Sequence, residues 1–208
     1  MNSYESDKQQ NPNRFDEDKI NISLVKYFWQ ANPFTSSKEN TIPKFLKKID
    51  VLKNFSENEL RILANSMHFR RFSEKEVIFR QNDVGIGFYF IYSGRVDVII
   101  AGEGQEDGDN DQKLGTYLLS LGRSAYFGEL ALLQENSLRN ATVIAREPTE
   151  LLGIFKPDIE NLIQTNPAVV AKLLQSISLI VSQRLTSMTR EIRELKFRIA
   201  ELEKVDAE

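Results

Sequence analysis

Hydrophobic and polar residues alternate with a period of two from Phe69 to Phe155, and this pattern predicts a series of short β-strands. Gly, Asn, Asp and Ser residues interrupt the alternation, as turns between antiparallel strands require. Many short strands at even spacing are typical of a β-sandwich or a jelly-roll barrel. The predicted strands cover 68–72, 76–80, 87–92, 95–101, 113–120, 139–146 and 149–155.

Helical signals flank this β-rich region on both sides. A proline favours the start of a short helix over 43–52. Ser56 followed by Glu59 is a capping-box sequence, which predicts a second helix as far as about residue 67. After the last strand, another short helix is predicted over 156–164. The region therefore looks like a mainly β domain with flanking helices.

The final helical segment opens at an Asn-Pro pair and continues to the end of the sequence without Pro or Gly. Along it, apolar residues recur at alternating spacings of four and three, which is the heptad pattern of a coiled coil. Opposite charges at the flanking g and e positions, Glu191 with Lys196 and Arg198 with Glu203, favour parallel pairing of two copies. The predicted dimer-interface residues are Val181, Leu185, Met188, Ile192, Leu195, Ile199 and Leu202.

A helix that lies only on its own barrel is the alternative interpretation of this segment. At about 1.5 Å per residue, however, the apolar seam extends well beyond any plausible contact with the barrel. The pattern therefore predicts a parallel homodimer joined by a long C-terminal coiled-coil helix.

The stretch 127–143 carries the residue types needed to bind a small phosphate ester. Gly128 has no Cβ, so a ligand can approach the backbone closely. Glu129 is an acceptor-only carboxylate suited to a pair of sugar hydroxyls. The short apolar run that follows can form one helical turn whose free N–H groups face an anion. Arg139 offers a planar charged fork that matches two phosphate oxygens, and Ala141 is small enough to lie against a ligand.

The sequence Phe-Gly-Glu-Leu-Ala-Leu at 127–132, with Arg139 and Ala141, resembles the phosphate-binding cassette of the cyclic nucleotide-binding domain family. The segments 80–83 and 88–98 resemble the first half of the same domain. Asn140 departs from the family pattern, which has Ala, Ser or Thr after the arginine. The resemblance implies a double-stranded β-helix (jelly-roll) fold and a long helix that touches the nucleotide base. The ligand-binding residues that it implies are Phe127, Gly128, Glu129, Leu130, Ala131, Arg139, Asn140, Ala141, Thr186, Thr189 and Arg190.

Composition narrows the function further. The chain has 208 residues and a formal net charge of −3, which argues against a general nucleic-acid binder. It contains no Cys and one His, so thiolate zinc sites, catalytic thiols and multi-histidine metal sites are excluded. Asp107, Asp109 and Asp111 imitate the start of a calcium loop, but the required Gly and Glu are missing, which favours a solvated hairpin loop. No signal-peptide pattern is present, and a cytoplasmic protein that does not associate with membranes is predicted.

Three regions are expected: a polar N-terminus with an aromatic arm (1–42), a β-barrel domain with N-terminal helices (43–166) and the dimerisation helix (167–208). The arm around Trp29 either packs on its own domain or a dimer mate, or docks another protein. We predict a non-enzymatic sensor of a cyclic nucleotide, with cyclic AMP favoured over cyclic GMP and no catalytic cofactor, that signals to a protein partner through its dimeric C-terminal helix or its N-terminal arm. The alternative is a scaffold protein whose pocket binds nothing.

Overall fold

The computed structural model describes residues 41–100, 115–135 and 137–205, which form two antiparallel β-sheets with flanking helices. The predicted N-terminal arm, as far as residue 40, and the acidic loop 102–112 lie outside these residues. The strands are β1 (His68–Phe72), β2 (Val77–Phe79), β3 (Gly87–Ser93), β4 (Arg95–Ile100), β5 (Thr116–Gly122), β6 (Tyr126–Phe127), β7 (Thr142–Ala145) and β8 (Thr149–Phe155). The helices are α1 (Thr41–Leu46), a 3-10 turn (Asp50–Leu52), α2 (Glu57–Asn65), α3 (Leu130–Leu133), α4 (Lys156–Thr165) and α5 (Pro167–Val205).

Each sheet has four strands whose neighbours are mostly distant in sequence. The order is β1-β8-β3-β6 in the first sheet and β2-β7-β4-β5 in the second. The chain therefore crosses repeatedly between the sheets, as it does in a jelly-roll. This arrangement confirms the predicted antiparallel β-sheets with flanking helices.

Strands β3 and β8 are buried on both faces because they lie at the centre of the first sheet. Phe88 and Phe90 on β3 pack outward against the helices, in the larger apolar cluster. Tyr89 and Ile91, which alternate with them, point into the space between the sheets. Apart from their paired ends at Ser93, Thr149 and Glu150, both strands therefore lack the polar positions of a half-exposed strand. Their interior side chains form the wall from which the candidate site is built.

Some predicted boundaries were wrong. The helix predicted over 43–52 is divided, because α1 ends at Leu46 and a 3-10 turn begins at Asp50. The strand predicted over 139–146 is shorter, because the backbone of Arg139 bonds to residues 82 and 83 instead of continuing the sheet. The two-residue strand β6 was not predicted, because two residues are too few to show an alternation of apolar and polar positions. The capping box of Ser56 and Glu59 is confirmed, with the hydrogen bonds formed in both directions.

Helix α5 changes its surroundings along its length. Its first half packs into the domain through Val169, Val170, Leu173, Ile177 and Ile180. An 18-residue stretch of this helix is apolar enough to cross a membrane by composition and length, and a third of that stretch is buried inside the domain. We attribute its apolar character to this packing and to the heptad seam that follows. The seam residues from Leu185 onward are all more than half exposed in the single chain.

One ion pair fastens α5 to the N-terminal helices. The ammonium group of Lys172 lies 2.9 Å from both carboxylate oxygens of Glu59 and 3.1 Å from the carbonyl oxygen of Asn54. It also lies 5.4 Å from the ring centre of Phe55. The hydrogen bond from Lys172, followed by that from the Ser56 backbone, lowers the pKa of Glu59 from its usual 4.5 to about 2.

We expect Glu59→Gln to destabilise the domain by about 1 kcal/mol at pH 7, because the pair is partly exposed to solvent. A carboxylate whose pKa is lowered by folding stabilises the protein above its unfolded pKa, and the benefit is lost as pH falls. The difference between wild type and variant should therefore shrink from pH 4.5 towards pH 2. Urea unfolding at several pH values measures this difference in the free energy of unfolding. In the control, Asp50→Asn removes the exposed Asp50–Lys53 pair and should change stability by less than about 0.5 kcal/mol.

Candidate functional site

The predicted cassette begins where β6 ends and α3 starts. Gly128 has a φ angle of +81°, which residues with a Cβ rarely adopt. A Cβ at this position would lie 2.7 Å from Nη1 of Arg139 and 2.9 Å from the carbonyl oxygen of Gly87. The glycine is therefore needed both for the turn and for the close approach of the arginine. Ala131, in the first turn of α3, is fully buried.

The segment that carries Arg139 is fixed by hydrogen bonds to the turn before β3. The Arg139 amide donates to the carbonyl of Asp83 at 2.8 Å, and the amide of Asn82 donates to the carbonyl of Arg139 at 2.8 Å. Asn82 has a φ angle of +68°, a conformation that Asn adopts more readily than most residues. The amide of Gly85 also donates to the carbonyl of Ser137 at 2.6 Å. The turn at 82–85 thus positions Arg139, which lies more than 50 residues further along the chain.

The side chain of Arg139 points into the domain and is only 6% exposed. Both terminal nitrogens donate to the carbonyl oxygen of Gly87 at 3.1 Å. Nη1 also lies 3.5 Å from the carbonyl oxygen of Gly128, and Nη2 lies 3.3 Å from the hydroxyl of Tyr89. The guanidinium carbon is 4.1 Å from the ring centre of Phe79. Arg139 is therefore an interior side chain beside the glycine of the cassette.

Glu129 is 4% exposed and forms an ion pair with the long helix. Its Oε1 accepts a hydrogen bond from Nη1 of Arg184 at 2.5 Å. Nη2 of Arg184 donates to the carbonyl of Tyr126 at 3.1 Å. The long helix is thereby joined directly to the cassette.

Two polar atoms of the site are buried without a partner. Among the buried side chains that the structure describes, only Oε2 of Glu129 and Nε of Arg139 have no hydrogen bond. Unpaired buried polar atoms cost free energy and are rare in folded proteins. One of these atoms is an acceptor and the other is a donor, so the partners that they lack are a donor such as a hydroxyl and an acceptor such as an anionic oxygen.

Burial sets the electrostatics of the site. Loss of hydration lowers the pKa of Arg139 from its usual value, while the neighbouring Tyr89, Asp83 and Glu129 oppose the shift. Burial also raises the pKa of Tyr89, so its hydroxyl is neutral at physiological pH. The arginine nevertheless stays protonated, because a guanidinium keeps its charge at neutral pH. Arg139 therefore holds its positive charge in a region with little water.

The structure brings together most of the predicted ligand-binding residues but not all of them. Asn140 is exposed and Ala141 is half-buried beside the cassette. Thr186, Thr189 and Arg190 are exposed on α5, and the two threonine hydroxyls donate to carbonyls of their own helix at 2.9 Å. Contact of these three residues with a ligand stays a prediction.

Sequence analysis missed several residues that build the site. Phe79 and Tyr89 were treated only as parts of strands, although both contact Arg139. Arg184 was also left out of the predicted site. It continues the domain-facing series of Val169, Leu173, Ile177 and Ile180, with steps of three and four residues. That spacing was the signal in the sequence that could have identified it.

Comparison with known proteins agrees with this geometry. The family model described as "Cyclic nucleotide-binding domain" matches residues 69–166. This region of the chain belongs to that family. The match runs from β1 to the end of α4 and contains the whole cassette. The cyclic nucleotide-binding region thus coincides with the two sheets and the buried arginine described above.

Curated relatives of this domain are regulatory proteins by name. The chain is 27% identical over 130 residues to the "cAMP-activated global transcriptional regulator CRP" of Pasteurella multocida, covering 62% of this chain and 56% of that protein. It is 36% identical over 109 residues to the "cAMP-dependent protein kinase regulatory subunit" of Dictyostelium discoideum, covering 52% of this chain and 32% of that protein. The matches thus span about half or less of these relatives.

A solved structure shows the same relationship in three dimensions. The catabolite activator protein of Thermus thermophilus aligns with a TM-score of 0.59 and 27% identity, over 71% of this chain and 63% of that one. The cyclic nucleotide-binding domain is therefore related to those of both a transcriptional regulator and a kinase regulatory subunit.

Proposed function

We propose that this protein is a sensor that binds cyclic AMP at the cassette, through Glu129 and Arg139, and transmits binding through helix α5. The observation that carries the proposal is the pair of unpartnered buried atoms, Oε2 of Glu129 and Nε of Arg139. A ribose hydroxyl can donate to the first, and an oxygen of the cyclic phosphodiester can accept from the second. The single positive charge of Arg139 matches the single negative charge of a phosphodiester.

Cyclic AMP is proposed over cyclic GMP because both curated relatives are named for cyclic AMP. Glu129 and Arg139 would bind the sugar and the phosphate, which the two nucleotides share. The base would instead be recognised by residues of α5, for which Thr186, Thr189 and Arg190 remain the candidates.

The signal would leave the domain along the same helix. Arg184 attaches α5 to Glu129, and the exposed apolar seam begins at the next residue, Leu185. We propose that two copies pair through this seam as a parallel homodimer and that a protein partner reads the position of the helix. A cytoplasmic location and the absence of enzymatic activity belong to the same proposal.

Isothermal titration of the purified protein with cyclic AMP, cyclic GMP and 5′-AMP tests the proposal. We expect the tightest binding for cyclic AMP and weaker binding of 5′-AMP, because the second charge of a monoester would be buried without a matching cation. Tighter binding of cyclic GMP would overturn the choice of base alone. Failure of all three nucleotides to bind would contradict the proposed function.

That last outcome would favour a scaffold protein with a pocket that binds nothing. One observation supports this second candidate: the terminal nitrogens of Arg139 and one oxygen of Glu129 are already bonded within the protein. In a scaffold protein, these contacts would serve only to hold the cassette and α5 together.

Ligand binding is expected to change the protection of α5 against hydrogen exchange. Sugar hydroxyls at Glu129 share its carboxylate with Arg184, so the ligand alters the contact that holds the helix. With saturating cyclic AMP, amide exchange in residues 181–195 should change measurably. Arg184→Ala should abolish most of that response, whereas Arg193→Ala, an exposed arginine on the same helix, should preserve it. Identical exchange in 181–195 with and without cyclic AMP would refute the coupling.

A further inference from the structure

The guanidinium group of Arg139 is held by two aromatic side chains that neither the sequence pattern nor the family match assigns to the site. Its central carbon lies 4.1 Å from the ring centre of Phe79 and 5.4 Å from that of Tyr89. The two rings are themselves neighbours, with centres 5.9 Å apart. A cation over the face of an aromatic ring at such distances is attracted by the ring's quadrupole.

The contacts of the two rings with the arginine are complementary. Phe79 lies at the end of β2, and its ring covers the guanidinium. Tyr89, on β3, accepts a hydrogen bond from Nη2 at 3.3 Å. With the carbonyl oxygen of Gly87 bonded to both terminal nitrogens, the plane of the guanidinium has a defined orientation. In that orientation Nε is the nitrogen left unpaired.

Charge compensation at Arg139 is also unusual. All of its hydrogen-bond acceptors among the described residues are neutral: two backbone carbonyls and one phenol. A buried cation normally needs a paired carboxylate. Here aromatic faces and neutral oxygens take the place of that carboxylate. The guanidinium therefore has no carboxylate among its hydrogen-bond partners, although the carboxylates of Asp83 and Glu129 attract it from nearby, and an added anion would meet an unpaired donor at Nε.

We infer that Phe79 and Tyr89 are positioning residues, which orient the Arg139 guanidinium for the phosphodiester before the ligand arrives. The inference rests on the proposed function, because it concerns the same pocket. A group that is already oriented loses less conformational freedom on binding, so the affinity for the ligand is higher. Removing either contact should weaken binding although neither residue needs to touch the ligand.

Titration with cyclic AMP of two variants tests this inference. Tyr89→Phe deletes the hydroxyl alone and should raise the dissociation constant about five-fold, because the lost hydrogen bond acts on the ligand only through the orientation of Arg139. Phe79→Leu deletes the ring face and should raise it about ten-fold. Phe79→Tyr keeps a ring face and should restore most of the affinity.

Matched controls separate positioning from general damage to the core. Tyr92→Phe removes a hydroxyl from the same strand, where Tyr92 donates to Thr41 and packs against the helix-side apolar cluster. Phe72→Leu removes a ring from the same interior cluster, where it lies 4.4 Å from Arg70 instead. Both controls should leave the dissociation constant within about two-fold of the wild type. Equal losses of affinity in the variants and their controls would overturn the inference.

A measurement without ligand separates this inference from the proposed function. In ¹⁵N-labelled protein, a buried and oriented guanidinium should give a dispersed, slowly exchanging Nε–H signal, identified by its loss in Arg139→Lys. Tyr89→Phe and Phe79→Leu should shift or broaden that signal, and the controls should not. If the wild type shows this signal but binds no cyclic nucleotide, the proposed function fails while the orientation of Arg139 is real. If the wild type binds but neither variant alters the signal or the affinity, the positioning role is wrong.

Discussion

Replacing Arg139 with alanine should weaken cyclic AMP binding by about 100-fold or more. A hydrogen bond to a charged group contributes about 1.5–3 kcal/mol, and the upper part of that range corresponds to a factor of 100. The site is also only 6% exposed at Arg139, so water cannot replace the lost donor easily. Calorimetric titration of the purified variant measures the change.

The same substitution should also lower stability, which the experiment must take into account. It leaves the carbonyl of Gly87 without two donors and opens a cavity beside Phe79, at a cost of about 1–3 kcal/mol. Arg139→Lys keeps the charge but cannot reproduce the fork, so its affinity should be intermediate. Arg71→Ala removes an exposed arginine from β1 and should have wild-type affinity. Wild-type affinity in a folded Arg139→Ala protein would show that the phosphate binds elsewhere.

Much of the fold could be predicted because its signals are local. The capping box at Ser56 and the β8 strand over 149–155 require only neighbouring residues, and both were predicted correctly. The prediction failed where distant segments compete for the backbone. Residues 139–141 were predicted as the start of a strand, but the backbone of Arg139 bonds to the turn at 82–83, so β7 begins later. A period of two cannot reveal which partner a backbone amide will select.

The residues of the site also divide into those that local sequence could predict and those that depend on distant segments. The motif at 127–132 and the arginine at 139 were recognisable because their residue types and spacing carry the chemistry. The environment of Arg139 was not recognisable, because Phe79 and Tyr89 lie on other strands and have the ordinary appearance of core residues. Arg184 lay between these cases. It was visible as part of a helical stripe, but a charged residue at the end of an apolar stripe is usually read as solvent-exposed.

The second large effect is expected at the helix seam. Placing aspartates at Ile192 and Leu195 should convert a dimer into a monomer, because each charge would be buried against the other copy. Both side chains are more than half exposed in the single chain, so folding of the domain should not suffer. Sedimentation equilibrium of the wild type and the double variant measures the change. A wild type that sediments as a monomer would refute the dimer.

The helix provides a matched control on its opposite side. Phe197 is 69% exposed and falls at an f position, which faces away from the partner in a two-stranded coiled coil. Phe197→Asp introduces the same charge in place of a large apolar residue, and the dimer should survive. If Phe197→Asp separates the copies while the seam variant does not, the dimer interface lies on the face of Phe197, and the predicted seam is wrong.

A single cysteine distinguishes parallel from antiparallel pairing. Because the chain has no Cys, Leu202→Cys would carry the only thiol in the protein. In a parallel dimer, equivalent d positions face each other, so mild oxidation should link the two copies efficiently. In an antiparallel dimer the two thiols would lie at opposite ends of the paired seam, far beyond the Cα separation of about 7 Å that a disulfide tolerates. Only parallel pairing places the two Arg184 residues, and hence the two cassettes, at the same end of the seam, where one partner could respond to both.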